Sequence, residues 1–507
     1  MDFPEPKPRL KPLWRYLGLG LAVALLGIYG SVLWKHTAAI AAGSDSSGYL
    51  NHARLLAAGH VHLEPREVPG LPSSQAPDEL YMSLGFKPAW DHKGLVPTYP
   101  VGLPLLILAA KPLAGWAHAA DAILLLHSLA GIALVYVLAR DLGLGRRWAA
   151  LGSLILALSP VYLFMSLVAM SDVPSLVWTT LAVVAALRSR GRAPWALLAG
   201  FALALDVLLR PTNVLAFIPV ALALGRSPRR WLLLALGGLP GAVFYGAHSL
   251  SAYGSLFTTG YGNTSSSFSW ASVPVTLAHY ARWLPALFTP AVVLCLALPV
   301  ERRVTASIRW LLGSWILAYG AFYSTYTITH ETWWYLRFLL PAVPAILVAS
   351  LLVLDRLCER LPRFLDPGRF LPAFAVALAL VVFAERRQER ELHPLSVGDE
   401  ELVYGRATDW MKAHVPGDAV CLAMQASGAL VYYTDFTFIR WDALHPSNVA
   451  KVEAAIRASG RPLYAVLFPF ELTDSGALDK HMPGHWTMVG RIDQVTVWRR
   501  DFEAPKH

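Results

Sequence analysis

Apolar stretches long enough to cross a lipid bilayer recur along this chain. A spanning helix needs about 20 predominantly apolar residues. Eleven stretches read as crossings, at roughly 14–34, 118–139, 148–168, 173–188, 194–210, 213–225, 231–250, 284–300, 305–326, 335–354 and 368–384. The fold class expected is therefore mainly α, a polytopic membrane protein with membrane lipids as neighbours. Composition points the same way. Charged residues make up 15% and hydrophobic residues 55% of the 507 positions. An average soluble domain is about 25% charged, so too little charge is present to solvate a soluble protein of this size. The formal net charge of +9 would suit a nucleic acid partner. The arginines, however, lie in short loops between apolar stretches, and no nucleic acid partner is expected.

Those loops set an orientation. Lys7, Arg9 and Lys11 precede the first stretch, and Arg140, Arg146 and Arg147 follow the second. Alternate loops then carry Arg188, Arg190 and Arg192; Arg226, Arg229 and Arg230; Arg302, Arg303 and Arg309; and Arg356, Arg360, Arg363 and Arg369. The loops near 169–173 and 327–334 have no Lys or Arg. Positive charge collects on the cytoplasmic side, which predicts a cytoplasmic N-terminus and, after eleven crossings, an outer C-terminus. The location expected is the cell's inner (cytoplasmic) membrane. The stretch Trp14–Trp34 exceeds the apolar core of about 7–15 residues found in signal peptides and is read as an uncleaved first span.

Three regions follow: a membrane domain at 1–384 with a large outer loop at about 35–117, a linker at 385–399, and an extracytoplasmic α/β domain at 400–507. The last mixes helical patterns at 401–414 and 448–459 with β-like runs at 419–424, 463–468 and 486–498. The apolar piece LLILAAKPLAG in the outer loop is short and proline-bearing, and suits a helix lying along the interface. Cys295, Cys358 and Cys421 form no CxxC pair and no disulfide framework.

The residues that could carry chemistry cluster at the outer boundary. Asp45 precedes Tyr49, Ala53, Leu56 and Ala57, which follow helical spacing, so it reads as an N-cap or as a catalytic carboxylate. Asp172, in Ser171-Asp172-Val173-Pro174, is open to the same two readings. Two ionisable groups at one membrane boundary tend to be functional or paired. Arg210, in the turn Arg210-Pro211-Thr212-Asn213, and Arg337 lie where a lipid phosphate would lie. A guanidinium fork binds phosphate oxygens bidentately. The alternatives are pairing with Asp172 or Asp45, or snorkelling to headgroups. His330 and Glu331 sit beside Arg337 in sequence, and Tyr49, Tyr99 and Tyr335 are candidate substrate contacts. No HExxH spacing is present, so no metal ligand set can be named and no cofactor is assigned; a divalent metal held by distant residues is left open. The sequence contains no P-loop, no GxSxG elbow and no GxGxxG. Asp206 is the exception among span centres, which are otherwise almost free of carboxylates. That scarcity speaks against ion-coupled transport.

Five motifs in order carry a family resemblance: Asp45-x-x-x-Tyr49-x-x-x-Ala53 with Gly59; Tyr99-Pro100-Val101-Gly102-Leu103-Pro104; Ser171-Asp172-Val173-Pro174; Leu209-Arg210-Pro211-Thr212-Asn213; and Arg337-Phe338-Leu339-Leu340-Pro341. Together they resemble the GT-C integral-membrane glycosyltransferases, in the branch of bacterial protein O-mannosyltransferases and lipid A aminoarabinose transferases (families 39 and 83). The resemblance implies a donor sugar on a polyprenyl phosphate and an acceptor hydroxyl on a protein, lipid or glycan. It implies inversion at the sugar, with Asp45 as general base and Asp172 organising the site or a metal. Donor-phosphate binding by Arg210 and Arg337 rests on position more than on the family motif. Relatives carry an acidic pair in the first loop; here Ser46 follows Asp45, leaving one carboxylate. The rival reading is a flippase or transporter of lipid-linked saccharides without catalysis.

Overall fold

The computed structural model describes residues 12–359 and 392–502. The expected eleventh span, 368–384, and the first part of the expected linker lie outside the described residues. The chain divides into two compact units. Of the described residues, one unit takes those up to Thr37, Asp121–Phe244 and Asn263–Val397; the other takes Ala38–Ala120, Tyr245–Gly262 and those from Gly398.

The first unit is helical. Its elements are α1 (Pro12–His36), the later part of α3 (Gly102–Asp141), α4 (Arg146–Leu158), α5 (Pro160–Leu167), α6 (Asp172–Arg188), α7 (Trp195–Leu209), α8 (Phe217–Leu224), most of α9 (Pro228–Tyr253), α10 (Val273–Leu287), α11 (Ala306–Ser324) and α12 (Val343–Cys358). Among the described residues, three helical stretches are long and apolar enough to cross a membrane: Gly102–Asp141, Pro228–Tyr253 and Trp333–Cys358. The pair α4 and α5, bent by 59°, makes a fourth candidate. Ser159 and Pro160 make that bend, because proline opens a helix well but cannot continue one. The stretch 284–300 is not one helix. α10 ends at Leu287, and Pro290–Ala297 forms a 3-10 segment. Pro290 lacks the N–H that an unbroken helix would use.

α6 is the hub of this unit. Leu176, Val183, Trp315, Tyr319, Leu336, Leu340 and Val348 are buried with it in one core. α7 and α9 approach through small residues: a Cβ at Gly200 would lie 2.0 Å from the Leu234 carbonyl oxygen, and one at Gly237 would lie 2.0 Å from that of Leu197. Helices in lipid gain by such close backbone contact, since no hydrophobic effect drives them together there. α1 instead exposes Leu21, Val23, Leu25 and Ile28, as a helix facing lipid would.

The second unit is built on a five-stranded sheet of order β4-β3-β5-β7-β6. β3 (Val420–Leu422), β4 (Thr437–Ile439) and β5 (Leu463–Leu467) run parallel; β7 (Val495–Arg500) is antiparallel to β5, and β6 (Trp486–Ile492) to β7. Strand β5 is apolar on both faces, as a covered parallel strand must be. Tyr464 and Val466 pack with Val403, Ala407 and Met411 of α13 (Val397–His414) and with Leu430 of α14 (Ser427–Tyr433). Leu463, Ala465 and Leu467 pack on the other face with Val452 and Ile456 of α15 (Val449–Ser459). Val68, Leu71 and Leu80, from the segment between α2 (Asp45–Ala57) and α3, complete that second core, and the Arg440 backbone N–H donates to the Leu80 carbonyl at 2.8 Å. That segment also holds a small hairpin, β1 (Phe86–Pro88) with β2 (Leu95–Pro97). The apolar piece at 105–115 is helical as far as Ala114, and its last residue, Gly115 (φ 68°, ψ 172°), breaks α3.

Candidate active site

Each unit contains one cluster of the expected residues. In the first, Asp172 opens α6, with Ser171 at the cap position. Its side chain is 0% exposed. Arg210 Nη2 donates to Asp172 Oδ1 at 2.6 Å, and Arg210 Nε donates to Ser171 Oγ at 3.1 Å. Arg337 Nη1 lies 4.0 Å from Asp172 Oδ2. The guanidinium side chains are 12% and 13% exposed. Thus one buried carboxylate holds two nearly buried cations, and the pairing reading of both arginines with Asp172 is observed.

The chain is arranged to present Arg210. It ends α7 in an extended conformation (φ −149°, ψ 114°), which Pro211 imposes on the residue before it. The turn is anchored by Asp206. Its carboxylate accepts from Asn213 Nδ2 at 2.6 Å and Thr179 Oγ1 at 2.5 Å, and its carbonyl accepts the Arg210 N–H at 2.9 Å. This carboxylate ties the Arg210 turn to α6. Tyr319 adds a bond to Asn213 Oδ1 at 3.3 Å.

Aromatic rings line the two cations. Arg337 lies over Tyr335 and Phe338, 5.5 and 5.2 Å from their centroids, and Arg210 lies 5.9 Å from the Phe338 centroid. Phe338 stacks on Tyr323, whose hydroxyl meets Thr212 Oγ1 at 2.8 Å. Such ring faces hold a guanidinium without neutralising it. Glu331 is exposed just before Thr332, and His330 is half-buried.

In the second unit, Asp45 is the first residue of α2, and Ser44 occupies the cap position. Tyr99 lies against this helix start. Its hydroxyl meets Ser44 Oγ at 2.7 Å and bonds the Asp45 side chain. Burial, then the Asp45 charge, push the Tyr99 phenol well up, so it stays protonated as a donor. Tyr49 packs on Tyr99 with centroids 5.2 Å apart. The fit depends on Gly48: a Cβ there would lie 2.5 Å from the Tyr99 ring and 3.0 Å from the Gly85 Cα. The structure therefore groups Asp45, Tyr49 and Tyr99, and separately Asp172, Arg210, Arg337 and Tyr335. Sequence reasoning assigned no role of their own to Ser44, Ser171, Tyr323 and Phe338, which support these residues, or to Asp206 and Asn213. Among the described residues no group of three or more His, Cys, Asp or Glu side chains is placed to hold a metal ion.

Comparison with known proteins agrees with this architecture. A family model described as dolichyl-phosphate-mannose-protein mannosyltransferase matches residues 122–227, the segment that carries Asp172, Asp206 and Arg210. No curated protein matches the sequence significantly. Among solved structures, ArnT from Cupriavidus metallidurans bound to undecaprenyl phosphate superposes with a TM-score of 0.58 at 14% identity, over 95% of this chain and 97% of that one. Its apo form gives 0.56 at 14% identity, over 96% and 98%. The oligosaccharyltransferase of Archaeoglobus fulgidus, tethered with an acceptor peptide, gives 0.50 at 13% identity, over 89% of this chain and 69% of that one. The chain has the fold of the GT-C integral-membrane glycosyltransferases.

Proposed function

We propose that this protein transfers a sugar from a polyprenyl-phosphate donor to an acceptor hydroxyl at the outer face of the cytoplasmic membrane. The observation that carries the reading is the pair of guanidinium groups held by buried Asp172. Fixed cations of this kind suit a phosphate diester whose bridging oxygen becomes a charged leaving group. The ArnT structure that shares the fold was obtained with undecaprenyl phosphate bound, which supports the same donor class here.

In this reading the acceptor oxygen attacks the anomeric carbon opposite the phosphate. The bond from that carbon to the phosphate oxygen breaks, and the polyprenyl phosphate leaves with the electron pair. The acceptor proton passes to Asp45, and the sugar configuration inverts. Arg210 and Arg337 take up the charge that grows on the leaving phosphate, which stabilises the transition state more than the ground state. Asp172 keeps the two cations oriented. Tyr49, Tyr99, His330, Glu331 and Tyr335 are proposed substrate contacts. The chain is taken to cross the membrane about eleven times, with its N-terminus cytoplasmic and residues 400–507 outside. The transferred group is a hexose or pentose, and the acceptor a protein, lipid or glycan.

Purified protein in detergent, offered a pool of polyprenyl-phosphate sugars and envelope extract, tests this. Wild type should transfer sugar, with product mass naming it, and folded Asp45→Asn should not. Equal transfer by both would remove Asp45 from the chemistry. Donor binding without turnover in wild type would favour the flippase reading.

A further inference from the structure

We propose that Glu401 is the second carboxylate of the Asp45 site, a positioning residue through which the C-terminal region governs proton uptake from the acceptor. The inference rests on Asp45 being the base, as argued above.

The geometry starts at Gly43. Tyr404, on α13, hydrogen-bonds the Gly43 backbone through its hydroxyl, which also accepts from Gln425 Nε2 at 2.7 Å. Glu401 precedes Tyr404 by three residues and so lies on the same helix face. Next to it, α14 abuts the first turns of α2. Asn51 Nδ2 donates to the Gly428 carbonyl at 2.9 Å, and a Cβ at Gly428 would lie 2.1 Å from Ser47 Oγ. The start of α2 is thus gripped by Tyr404 at Gly43, Tyr99 at Ser44 and Gly428 at Ser47, and Asp45 sits inside that grip.

Glu401 is within the field of Asp45, with Glu400 its other acidic neighbour and Tyr404 the adjoining phenol. Burial, then the Asp45 charge, then that of Glu400, push its carboxyl up to about 7. Glu471 faces Tyr404 from the sheet side, and Tyr99 faces Asp45. With both ionised, the pair takes up the acceptor proton more readily than with Glu401 neutral. Ser46 stands beside Asp45 in the sequence, and the second acid of this site comes from residue 401.

The sign of the shift decides what a variant does to folding. A carboxyl whose folded value is raised favours the native state at low pH and weakens it as pH climbs towards about 7. Glu401→Gln, which cannot ionise, should therefore unfold at or above the wild-type temperature at pH near 8. A side chain kept only for the fold would show the opposite.

Two arms test the proposal. In the first, kcat for sugar transfer by wild type should rise through a step near pH 7. Glu401→Gln should lose that step and run about three- to tenfold slower above it, a fraction of a general base's whole effect, with donor KM unchanged. Glu401→Asp should restore the step. The second arm needs no turnover. Infrared titration of the protonated carboxyl band should show a group near pH 7 that vanishes in Glu401→Gln and moves to lower pH in Asp45→Asn. A wild-type pH profile in Glu401→Gln, or an unmoved band in Asp45→Asn, would overturn the proposal. If Asp45→Asn stayed active while the band still moved, the paired carboxylates would stand, and the base reading and the tuning built on it would both fall.

Discussion

Asp172 and Asp45 both open a helix after a serine, yet their surroundings differ in kind. Asp172 is fully buried, with Arg210 bonded to one oxygen and Arg337 4.0 Å from the other. Asp45 is half-buried, beside a phenol that burial and the Asp45 charge hold protonated. A carboxylate that anchors cations must stay put and stay charged. One that takes up a proton needs neighbours that leave it free to do so. In the proposed reading, the same local sequence logic serves two roles, and the partners brought in by the fold decide which.

Four experiments would break or sharpen that contrast. The largest effect is expected at Asp45→Asn, which should lower transfer by about 10²–10⁴-fold, the usual range for a general base, while the unfolding temperature holds. Next, Arg210→Ala leaves Asp172 buried without its bonded cation. Removing one member of a buried pair costs about 3–5 kcal/mol, so the variant should unfold well below wild type and lose donor binding. Adding Asp172→Asn should recover part of the stability and none of the binding. Were Arg210→Ala to unfold like wild type, the anchoring role of Asp172 would be refuted. Gly48→Ala should cost about 1–3 kcal/mol, because its Cβ meets the Tyr99 ring and overpacking carries that penalty. The loss should be read in transfer as well as in thermal unfolding, since α2 carries Asp45. The smallest effect concerns Cys421. It is fully buried, and burial pushes its thiol up, so at pH 8 an alkylating reagent should label it only after unfolding and leave activity intact.

Residue type and position were enough to single out Asp172, Arg210 and Arg337, because charge at a membrane boundary is costly and rarely idle. Their union could not be read from the chain, since 38 residues separate the first two and 127 the last two. Asp206 stood out as a carboxylate inside an apolar run. Its partner Asn213 lies seven residues on in a turn, and a bond between two such side chains leaves no signature in the sequence. The strand β5 was visible as an apolar run; β4, with three residues, falls below what period-two patterning can show. The stretch 284–300 is apolar throughout, yet the missing N–H of Pro290, which hydropathy does not register, interrupts its helix. Glu401 sits in a pattern of ordinary solvated helix, where a glutamate carries no signal until Tyr404, one turn on, is seen to meet Gly43.

The core that joins Val68, Leu71 and Leu80 to the five-stranded sheet has a consequence for how the molecule is made. Residues from the beginning of the chain wait for strands from its far end. A nascent chain released early would have α2 but none of the clamps at Tyr404 and Gly428. Competence is thus conferred last, and a truncated polypeptide should be inert rather than a loose, unregulated transferase.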